Sequence, residues 1–549
     1  MRLLSLVPMS MPGAAPAPES HAVHYRWVAT PRICLQHIFT CGTAVESLGD
    51  STVAIRPAIA WRPVAIVAAA VAMVHVAVAT RYGWFPDEFY FVVCGRHPAW
   101  GYVDQPPLVP LLAHAAEALP GGGLFTVRLL AITAHVGCVV SAALLAAEFG
   151  GRRLAQVMAA AAVAACPAFV GLSMFFGPTV TDQLVWLTVL TLVARALRLD
   201  TTPSWLLAGA AAGIGLENKH TAVVLIAGIA AGLVMFRRET LRTPRPWLAA
   251  GLAVLVAAPN LWWMAQHGWP NLQFARMISQ HSRDTLGSLI QLPLLTIGLA
   301  GPLLVVLWVF GIRWLASPAQ REHRWTLVVV AVALVIFTCA SGRPYYAAPV
   351  FAVLFAAGAV RVESARTARL HLNGMGEHGW PPLRWTATLA ASFVGAVLLC
   401  LPVLPVSTAQ ALRSINPWLA STYGWPQFTK QVVAAASSLP AHVPIFTGYY
   451  TEAGALSILG PAADLRHPVY SAHNNYALWG PPKGRPDTVL CVGDFPRSYL
   501  LEYWSEVTEL APIIADDGEH TWETDRTIYL CQQPRGTWAE MWPSLSHFH

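Results

Sequence analysis

Eleven apolar runs follow one another between Pro63 and Val406, and most of them approach the length of a membrane-spanning helix. The hydrocarbon core of a bilayer needs about 20 apolar residues in a helix. Charged residues are scarce: Asp, Glu, Lys and Arg make up 12% of the chain, against roughly 25% in soluble domains. This composition excludes a soluble enzyme, a disordered chain and a nucleic-acid binder. The sequence therefore predicts an α-helical polytopic membrane protein with about eleven transmembrane helices.

The loops on the two sides of the predicted membrane differ in their Lys and Arg content. One set of loops carries seventeen of these residues and the opposite set carries seven. Because loops rich in Lys and Arg stay in the cytoplasm, the first set should be cytoplasmic. We expect a multi-pass protein of the cytoplasmic membrane. Its N-terminus is then inside, and an odd number of spans places its C-terminus outside.

Composition divides the chain into three parts. Residues 1–60 are rich in Pro and Ala and predict a poorly ordered cytoplasmic tail. Residues 61–406 form the predicted membrane domain, with residues 81–123 as its first outer loop. Residues 407–549 hold eight Lys or Arg and thirteen Asp or Glu, which predicts a small extracytoplasmic α/β domain. Its apolar patterns predict helices over 426–439 and 451–459 and strands over 443–448, 488–493 and 527–532.

Two cysteines of this last region, Cys491 and Cys531, lie in predicted strands. If the region is extracytoplasmic they can form a disulfide, and two free thiols are an equally good interpretation.

The first outer loop brings three acids, Asp87, Glu88 and Asp104, into a segment rich in Trp, Tyr and Phe. Adjacent residues on a helix point about 100° apart, so Asp87 and Glu88 should not share one task. One can face a cleft while the other caps the helix or forms an ion pair. Aromatic rings beside carboxylates suit sugar binding, because rings stack on C–H faces and acids bind hydroxyls. The alternative is an ordinary solvated loop.

The segment GLENKH places Lys219 and His220 between two apolar runs. Ionisable groups at membrane depth are costly and indicate function. A lysine near the outer surface can hold an anion such as a lipid phosphate. The alternative is a tight hairpin with an internal ion pair between Glu217 and Lys219.

Two further aromatic segments are predicted to lie on the outer side. The segment 259–274 contains His267, which can face a ligand, although its tryptophans are typical of an interfacial belt. The segment SGRPYYAAP contains Arg343, Tyr345 and Tyr346, which can clamp a phosphate. Snorkelling of the arginine and interfacial anchoring of the tyrosines compete with that interpretation.

All of these clusters fall on the predicted outer side of the membrane. That compartment lacks nucleotide sugars and ATP, so a transferase there needs an activated donor delivered through the membrane. A polyprenyl-phosphate sugar meets this need. We therefore expect a lipid-linked sugar donor, with a protein, lipid or glycan as acceptor, and membrane lipid as the surrounding partner.

The order of the segments FPDEFYF, GYVDQPPL, TDQLVWLTVL, GLENKHTAV, PNLWWMAQHGWPNLQF and SGRPYYAAPV resembles bacterial glycosyltransferase family 39. This membrane group is related to protein O-mannosyltransferases and to the aminoarabinose transferase of lipid A. The resemblance extends over roughly residues 61–549, through HNNYALWGPP to PRGTWAEMWPSLSHF. It implies a GT-C fold of about 11 transmembrane helices, with a small C-terminal extracytoplasmic α/β domain.

The resemblance also implies roles for single residues. The family's general base matches Asp87, and Glu88 completes a catalytic acidic pair. Asp104 lies in the motif GYVDQPP, in which members often have His at the position of Gln105. The family's lysine-containing loop matches Lys219 and His220, and its phosphate-side segment matches the residues Arg343, Tyr345 and Tyr346.

These inferences predict an inverting glycosyltransferase that moves a hexosyl or pentosyl group from a polyprenyl-phosphate donor to a hydroxyl. We expect no cofactor and no required metal, with a divalent cation between the acids and the phosphate as the alternative. The rival function is a transporter or flippase of lipid-linked sugars. A third interpretation is a non-catalytic scaffold in which Asp87 tolerates substitution.

Overall fold

A computed structural model of the protein describes residues 56–281, 294–340, 342–372, 383–515 and 521–548. The predicted tail, residues 1–60, lies outside these ranges except for its last five residues. Described residues up to 400 form a series of α-helices: α1 Trp61–Val78, α2 Pro86–Arg96, α3 Leu108–Glu117, α4 Leu124–Glu148, α5 Arg153–Ala164, α6 Pro167–Leu172, α7 Pro178–Leu199, α8 Thr202–Asn218, α9 Ala222–Phe236, α10 Arg245–Gln266, α11 Pro270–His281, α12 Leu294–Ala300, α13 Val305–Ala316, α14 Arg324–Cys339, α15 Ala348–Leu372 and α16 Leu383–Cys400.

The predicted helical membrane fold is confirmed. By length and composition, seven helices in the described ranges can cross a membrane, and the number is eight if α12 and α13, bent by 100°, count as one broken span. Helices α3, α5 and α9 are shorter and also apolar. Each of the eleven apolar runs of the sequence overlaps at least one helix, and the number of spans stays a prediction.

Helices α8 and α10 approach each other closely through small residues. A Cβ atom added at Gly209 would lie 2.2 Å from the carbonyl oxygen of Ala249, and one added at Gly213 would lie 2.6 Å from Cβ of Val256. The two glycines are four residues apart, which is the spacing that lets membrane helices pack backbone to backbone. The fit therefore depends on the absence of side chains at these two positions.

The first predicted outer loop is itself folded into the two short helices α2 and α3. Helix α2 begins with Pro86, whose fixed φ suits the first helical turn. The side chain of Glu88 accepts a hydrogen bond of 2.9 Å from the backbone N–H of Phe85, which satisfies a donor that the helix itself leaves unpaired. This cap sets the start of α2 and therefore the direction in which Asp87 points.

The region after residue 400 forms an α/β domain around one sheet. Strands follow the order β2-β1-β3-β5-β4, in which β2, β1 and β3 are parallel and β5 is antiparallel to both of its neighbours. The elements are α17 Val406–Ala411, α18 Pro417–Ala420, α19 Trp425–Ala436, β1 Ile445–Thr447, α20 Tyr450–Leu459, β2 Val469–Ser471, α21 Asn475–Trp479, β3 Thr488–Gly493, α22 Arg497–Leu500, β4 Trp504–Pro512, β5 Thr527–Pro534 and α23 Trp538–Leu545.

All five elements that the sequence predicted in this domain are present. Strands β2 and β4 were missed because both lie at sheet edges. Strand β2 has only three residues, and β4 is largely exposed on both faces, so neither has the buried alternation that marks a strand. The thiols of Cys491 and Cys531 are free and buried on the neighbouring strands β3 and β5.

The α/β domain packs directly against the first loop. Gly454 of α20 lies against Phe89 of α2, so close that an added Cβ would be 2.8 Å from Cβ of Phe89. The ring of Phe89 also meets the ring of Trp425 edge-to-face, with centroids 5.5 Å apart. Asn475 accepts a hydrogen bond of 3.1 Å from the backbone N–H of Val103. These contacts place the N-terminus of α20 beside Asp87.

The close packing of α8 on α10 predicts a stability difference between two glycines. Gly209→Ala should lower the free energy of unfolding by about 1–3 kcal/mol, because the new methyl group overlaps the backbone of Ala249. Gly251→Ala in α10 is the matched control, since a Cβ there meets nothing within 4 Å. Its effect should stay within about 1 kcal/mol. Thermal unfolding of the purified variants in detergent measures both, and equal midpoints would contradict the packing argument.

Candidate functional site

A buried ion pair between Glu88 and Arg128 anchors the first loop to α4. Both side chains are almost completely buried, with exposures of 0% and 1%. Nε and Nη2 of Arg128 donate to the two carboxylate oxygens of Glu88 at 3.1 and 2.9 Å. Nη1 and Nη2 of Arg128 also donate to the carbonyl oxygens of Ala79 and Gly83, in the segment that follows α1. Glu88 also accepts a hydrogen bond from the N–H of Phe176 at 2.9 Å.

Glu88 therefore has the contacts expected of the acid that caps the helix and forms an ion pair, whereas its catalytic role stays a prediction. Four N–H groups and a guanidinium charge engage the carboxylate of Glu88, which has no contact left for a substrate. Its place in the structure is that of a residue that positions Asp87.

Asp87 faces the α/β domain instead. The hydroxyl of Tyr450, the first residue of α20, donates to Oδ1 of Asp87 at 2.7 Å. Asp87 is half-buried, and Oδ2 makes no hydrogen bond with any described residue. One oxygen of this carboxylate is thus held in place while the other can accept a proton.

A second carboxylate lies beside the first in the same arrangement. The hydroxyl of Tyr90 donates to Oδ1 of Asp104 at 2.8 Å. The rings of Tyr90 and Tyr450 are neighbours, with centroids 4.5 Å apart. The two tyrosine rings therefore lie side by side, and each tyrosine binds one of the two carboxylates.

Burial and neighbouring negative charges raise the pKa values of both carboxylates. Burial raises the pKa of Asp87, the hydrogen bond from Tyr450 lowers it in part, and the charge of Glu88 raises it further. Burial raises the pKa of Asp104 to about 7, with a smaller rise caused by the charge of Asp87. Burial also raises the pKa values of Tyr90 and Tyr450, which remain hydrogen-bond donors at neutral pH. Carboxylates with a pKa closer to neutrality are better proton acceptors at neutral pH.

Lys219 lies between α8 and α9, where the N-terminus of α7 holds it. Nζ donates to the hydroxyl of Thr179 at 2.8 Å and lies 4.1 Å from the ring centroid of Tyr346. The connection between α8 and α9 is also tied to α7 by the hydroxyl of Thr221, which donates to Asp182 at 2.7 Å. The hairpin with an internal ion pair between Glu217 and Lys219 is absent from the described structure. The ammonium group keeps donors for an anion.

The segment before α15 connects this cation to the carboxylates. The ammonium group of Lys219 lies over the ring of Tyr346. This ring meets that of Tyr345 edge-to-face, with centroids 5.0 Å apart. Tyr345 is in turn close enough to interact electrostatically with Asp87 and with Arg343. Arg343 is exposed and makes no ion pair with a described residue. Lys219 thus contacts Tyr346, and Asp87 and Arg343 are within electrostatic reach of the adjoining Tyr345.

His220 and Gln105 lie nearby, in different environments. Nε2 of His220 is 3.2 Å from Oδ1 of Asn260, which donates through Nδ2 to the carbonyl oxygen of Trp100 in the first loop. Gln105 is 2% exposed, and neither its Oε1 nor its Nε2 has a partner among the described residues. A buried amide without partners is unfavourable, so Gln105 is a candidate for contact with a bound ligand.

His267 lies further out. It is exposed, its ring stacks on that of Trp263 with centroids 4.0 Å apart, and Nδ1 is 2.8 Å from the carbonyl oxygen of the same residue. Trp263 packs on Gly101, where an added Cβ would lie only 2.4 Å from the indole. The ring of Trp263 therefore separates His267 from the first loop. His267 has no described contact with the carboxylates.

The structure brings together most of the residues predicted from the sequence and adds three that were missed. Tyr90, Arg128 and Tyr450 hold the acids in place. Tyr90 belongs to the segment FPDEFYF, but Arg128 and Tyr450 lie outside the quoted segments. Tyr450 is 363 positions away from its partner, so no local signal connects them. Within the described ranges, no three His, Cys, Asp or Glu side chains are grouped as metal ligands would be. Metal independence stays a prediction.

The helical bundle with its acid-bearing first loop and small α/β domain defines an integral membrane protein with a GT-C fold. Residues 104–263 match the family model described as dolichyl-phosphate-mannose-protein mannosyltransferase. The resemblance predicted from the sequence is confirmed by this match and by the fold. No curated protein sequence matches the chain significantly.

Solved structures with this fold cover most of the chain. ArnT from Cupriavidus metallidurans bound to undecaprenyl phosphate is 17% identical, with a TM-score of 0.53 over 85% of this chain and 97% of that chain. Its apo state is 16% identical over the same shares, with a TM-score of 0.54. The arabinofuranosyltransferase AftD from Mycobacteria is 12% identical, with a TM-score of 0.50 over 87% of this chain and 40% of that chain.

The contacts of Glu88 predict that its substitution affects folding. Glu88→Gln leaves the charge of Arg128 buried and uncompensated, which should cost about 3–5 kcal/mol of stability. Asp87→Asn, one position earlier and half-buried, is the matched control and should unfold close to the wild-type temperature. Thermal unfolding in detergent distinguishes the two. A Glu88→Gln variant as stable as the control would contradict the structural role of Glu88 and favour its predicted catalytic role.

Proposed function

We propose that this protein is an inverting glycosyltransferase that moves a sugar from a polyprenyl-phosphate donor to a hydroxyl acceptor at the outer face of the cytoplasmic membrane. The observation that carries the proposal is the half-buried carboxylate of Asp87, which Tyr450 holds beside Asp104 and near the cations Lys219 and Arg343. The similarity to the dolichyl-phosphate-mannose-protein mannosyltransferase family supports a lipid-phosphate donor. The similarity to ArnT, solved with bound undecaprenyl phosphate, supports it as well.

The phosphate of the donor would lie against Lys219 and Arg343. The lysine uses one donor on Thr179, and the arginine is exposed without an ion pair in the described ranges. Negative charge grows on the phosphate as its bond to the sugar breaks. Fixed cations that stabilise charge developing in the transition state supply a large part of catalysis in many enzymes.

Asp87 is the proposed general base. The acceptor oxygen attacks the anomeric carbon from the face opposite the phosphate, and its proton moves to Oδ2 of Asp87. The bond between the anomeric carbon and the phosphate oxygen breaks, and its electron pair stays on the phosphate. This single displacement inverts the anomeric configuration. A positioned base contributes about 10²–10⁴-fold to the rate.

Asp104 and the surrounding residues would bind the substrates. With a pKa of about 7, Asp104 exists in both protonation states at neutral pH and can accept or donate a hydrogen bond to a sugar hydroxyl. The unpartnered amide of Gln105 can do the same, while Tyr345 and Tyr346 offer aromatic faces. His220 and His267 would contribute at the α10 side. No step of this reaction requires a metal ion.

A transporter or flippase of lipid-linked sugars is the second candidate function. It needs a polar path across the membrane, whereas the residues described above are joined at one end of the helices, around the connections α1–α2, α8–α9 and α14–α15. In reconstituted vesicles a flippase leaves the sugar attached to its lipid, but a transferase releases polyprenyl phosphate.

The scaffold interpretation makes a different prediction. It is favoured if Asp87→Asn supports the same cellular function as the wild-type protein.

Loss of the proposed base should stop transfer without loss of the fold. In a strain lacking this protein we expect a polyprenyl-phosphate sugar to accumulate, as measured by mass spectrometry of lipid extracts. The wild-type protein should clear the lipid, whereas Asp87→Asn should do so at a rate about 10²–10⁴-fold lower. Asp464→Asn, an exposed site of the α/β domain, is the matched control and should restore clearance fully.

Binding separates the base from the phosphate site. Purified Asp87→Asn should bind undecaprenyl phosphate as the wild type does, whereas Lys219→Met should bind it more weakly. Full clearance by Asp87→Asn, or no lipid accumulation in the deletion strain, would refute the proposed reaction.

The hydrogen bond from Tyr450 predicts a shift in pH dependence. The base acts when it is ionised, so kcat/KM should rise with pH through the pKa of Asp87. Tyr450→Phe removes a contact that lowers this pKa, which should move the acidic limb of the profile to higher pH. Tyr470→Phe in β2 is the matched control and should leave the limb unchanged. An acidic limb that does not move in Tyr450→Phe would separate Tyr450 from the titrating group.

A further inference from the structure

A cavity of about 760 Å³ lies between α13, α15 and α16 and plays no part in the proposed reaction. Its volume falls in the range of sites that bind small molecules, roughly 300–1,000 Å³. Four arginines line one part of it, and a wall of apolar side chains lines the rest. The arginines are Arg361, Arg366, Arg369 and Arg384.

The positive charge of this cavity is not neutralised by the neighbouring acid. Glu363 lies on α15 among these arginines, but its carboxylate accepts hydrogen bonds from the backbone N–H groups of Arg152 and Ala155 at 2.6 and 3.1 Å. In the described part of the chain, Arg361, Arg369 and Arg384 form no ion pair. These three guanidinium groups therefore share one cavity without a counter-ion from the described residues.

The apolar wall runs from the arginines towards the helices. Phe310 of α13 and Trp385 of α16 pack against each other with centroids 6.1 Å apart. Trp385 is 7% exposed and follows Arg384 directly, so charge and hydrocarbon surface adjoin along α16. Leu303, just before α13, and Val306 of α13 extend the same wall.

The cavity lies at the end of the bundle away from Asp87. Helix α15 starts at Ala348, directly after Tyr345 and Tyr346, and reaches Arg366 after 18 residues. At 1.5 Å per residue this is about 27 Å, close to the roughly 30 Å of a bilayer core. The arginines therefore lie at the opposite membrane surface, where lipid headgroups are found.

We propose that this cavity binds an anionic phospholipid of the membrane. Guanidinium forks match phosphate oxygens, and basic cavities between membrane helices are suited to anionic headgroups. The phosphate would lie among the arginines, and an acyl chain would lie along Phe310 and Trp385. A free phosphate ion uses only the first of these features, so the apolar wall favours a lipid.

Native mass spectrometry of the full-length protein in detergent tests the proposal. Dioleoyl-phosphatidylglycerol, dioleoyl-phosphatidylcholine and inorganic phosphate are titrated separately. We expect Arg369→Gln combined with Arg384→Gln to weaken binding of the phosphatidylglycerol by roughly 10- to 30-fold, with no change for the phosphatidylcholine. Arg238→Gln combined with Arg242→Gln is the matched control, since both of these residues are exposed in the connection after α9 and lie outside the cavity.

A second variant removes the space and keeps the charge. Ala365→Trp places an indole in the cavity and should weaken binding of the phosphatidylglycerol as well; it decides the question if the double arginine variant fails to fold. Equal weakening in the control pair would reduce the effect to general surface charge and overturn the proposal. Inorganic phosphate that binds as tightly as the lipid would overturn it in favour of a free anion.

Discussion

The ion pair between Glu88 and Arg128 is the interaction on which the candidate site depends. Two opposite charges buried at the end of a membrane bundle persist only if they are paired and hydrogen-bonded. Here Arg128 donates four hydrogen bonds and Glu88 accepts four. The pair joins α2 to α4 and to the end of α1. With Glu88 held there, the preceding residue of the helix, Asp87, must point about 100° away, towards the α/β domain.

The site is composite because the α/β domain completes it. Tyr450 reaches Asp87 from α20, and Tyr90 reaches Asp104 from α2. Packing two carboxylates under two tyrosine rings removes water and raises their pKa values, which suits proton transfer near neutral pH. The small domain therefore does more than cover the bundle: it sets the position and the basicity of the proposed base.

The two ends of α15 have opposite characters. Its start adjoins Tyr345 and Tyr346, which lie between the acids and Lys219. Its far end carries the arginines of a cavity with an apolar wall. One helix thus connects the proposed site for a lipid phosphate with a separate proposed site for an anionic lipid at the other surface. Both proposed sites bind a phosphate through cationic side chains. They differ in their surroundings, which are carboxylates and tyrosines at one end and an apolar wall at the other.

The sequence alone determined the helical membrane architecture, the α/β domain and most of the candidate residues, because apolar runs, charge scarcity and motif order are local properties. Only the tertiary structure decided which partners each acid has. Asp87 and Glu88 are adjacent and chemically similar, and their contacts differ because Arg128 lies beside Glu88 and Tyr450 beside Asp87. Those partners come from distant parts of the chain, so their contacts exist only after the helices and the sheet have packed together.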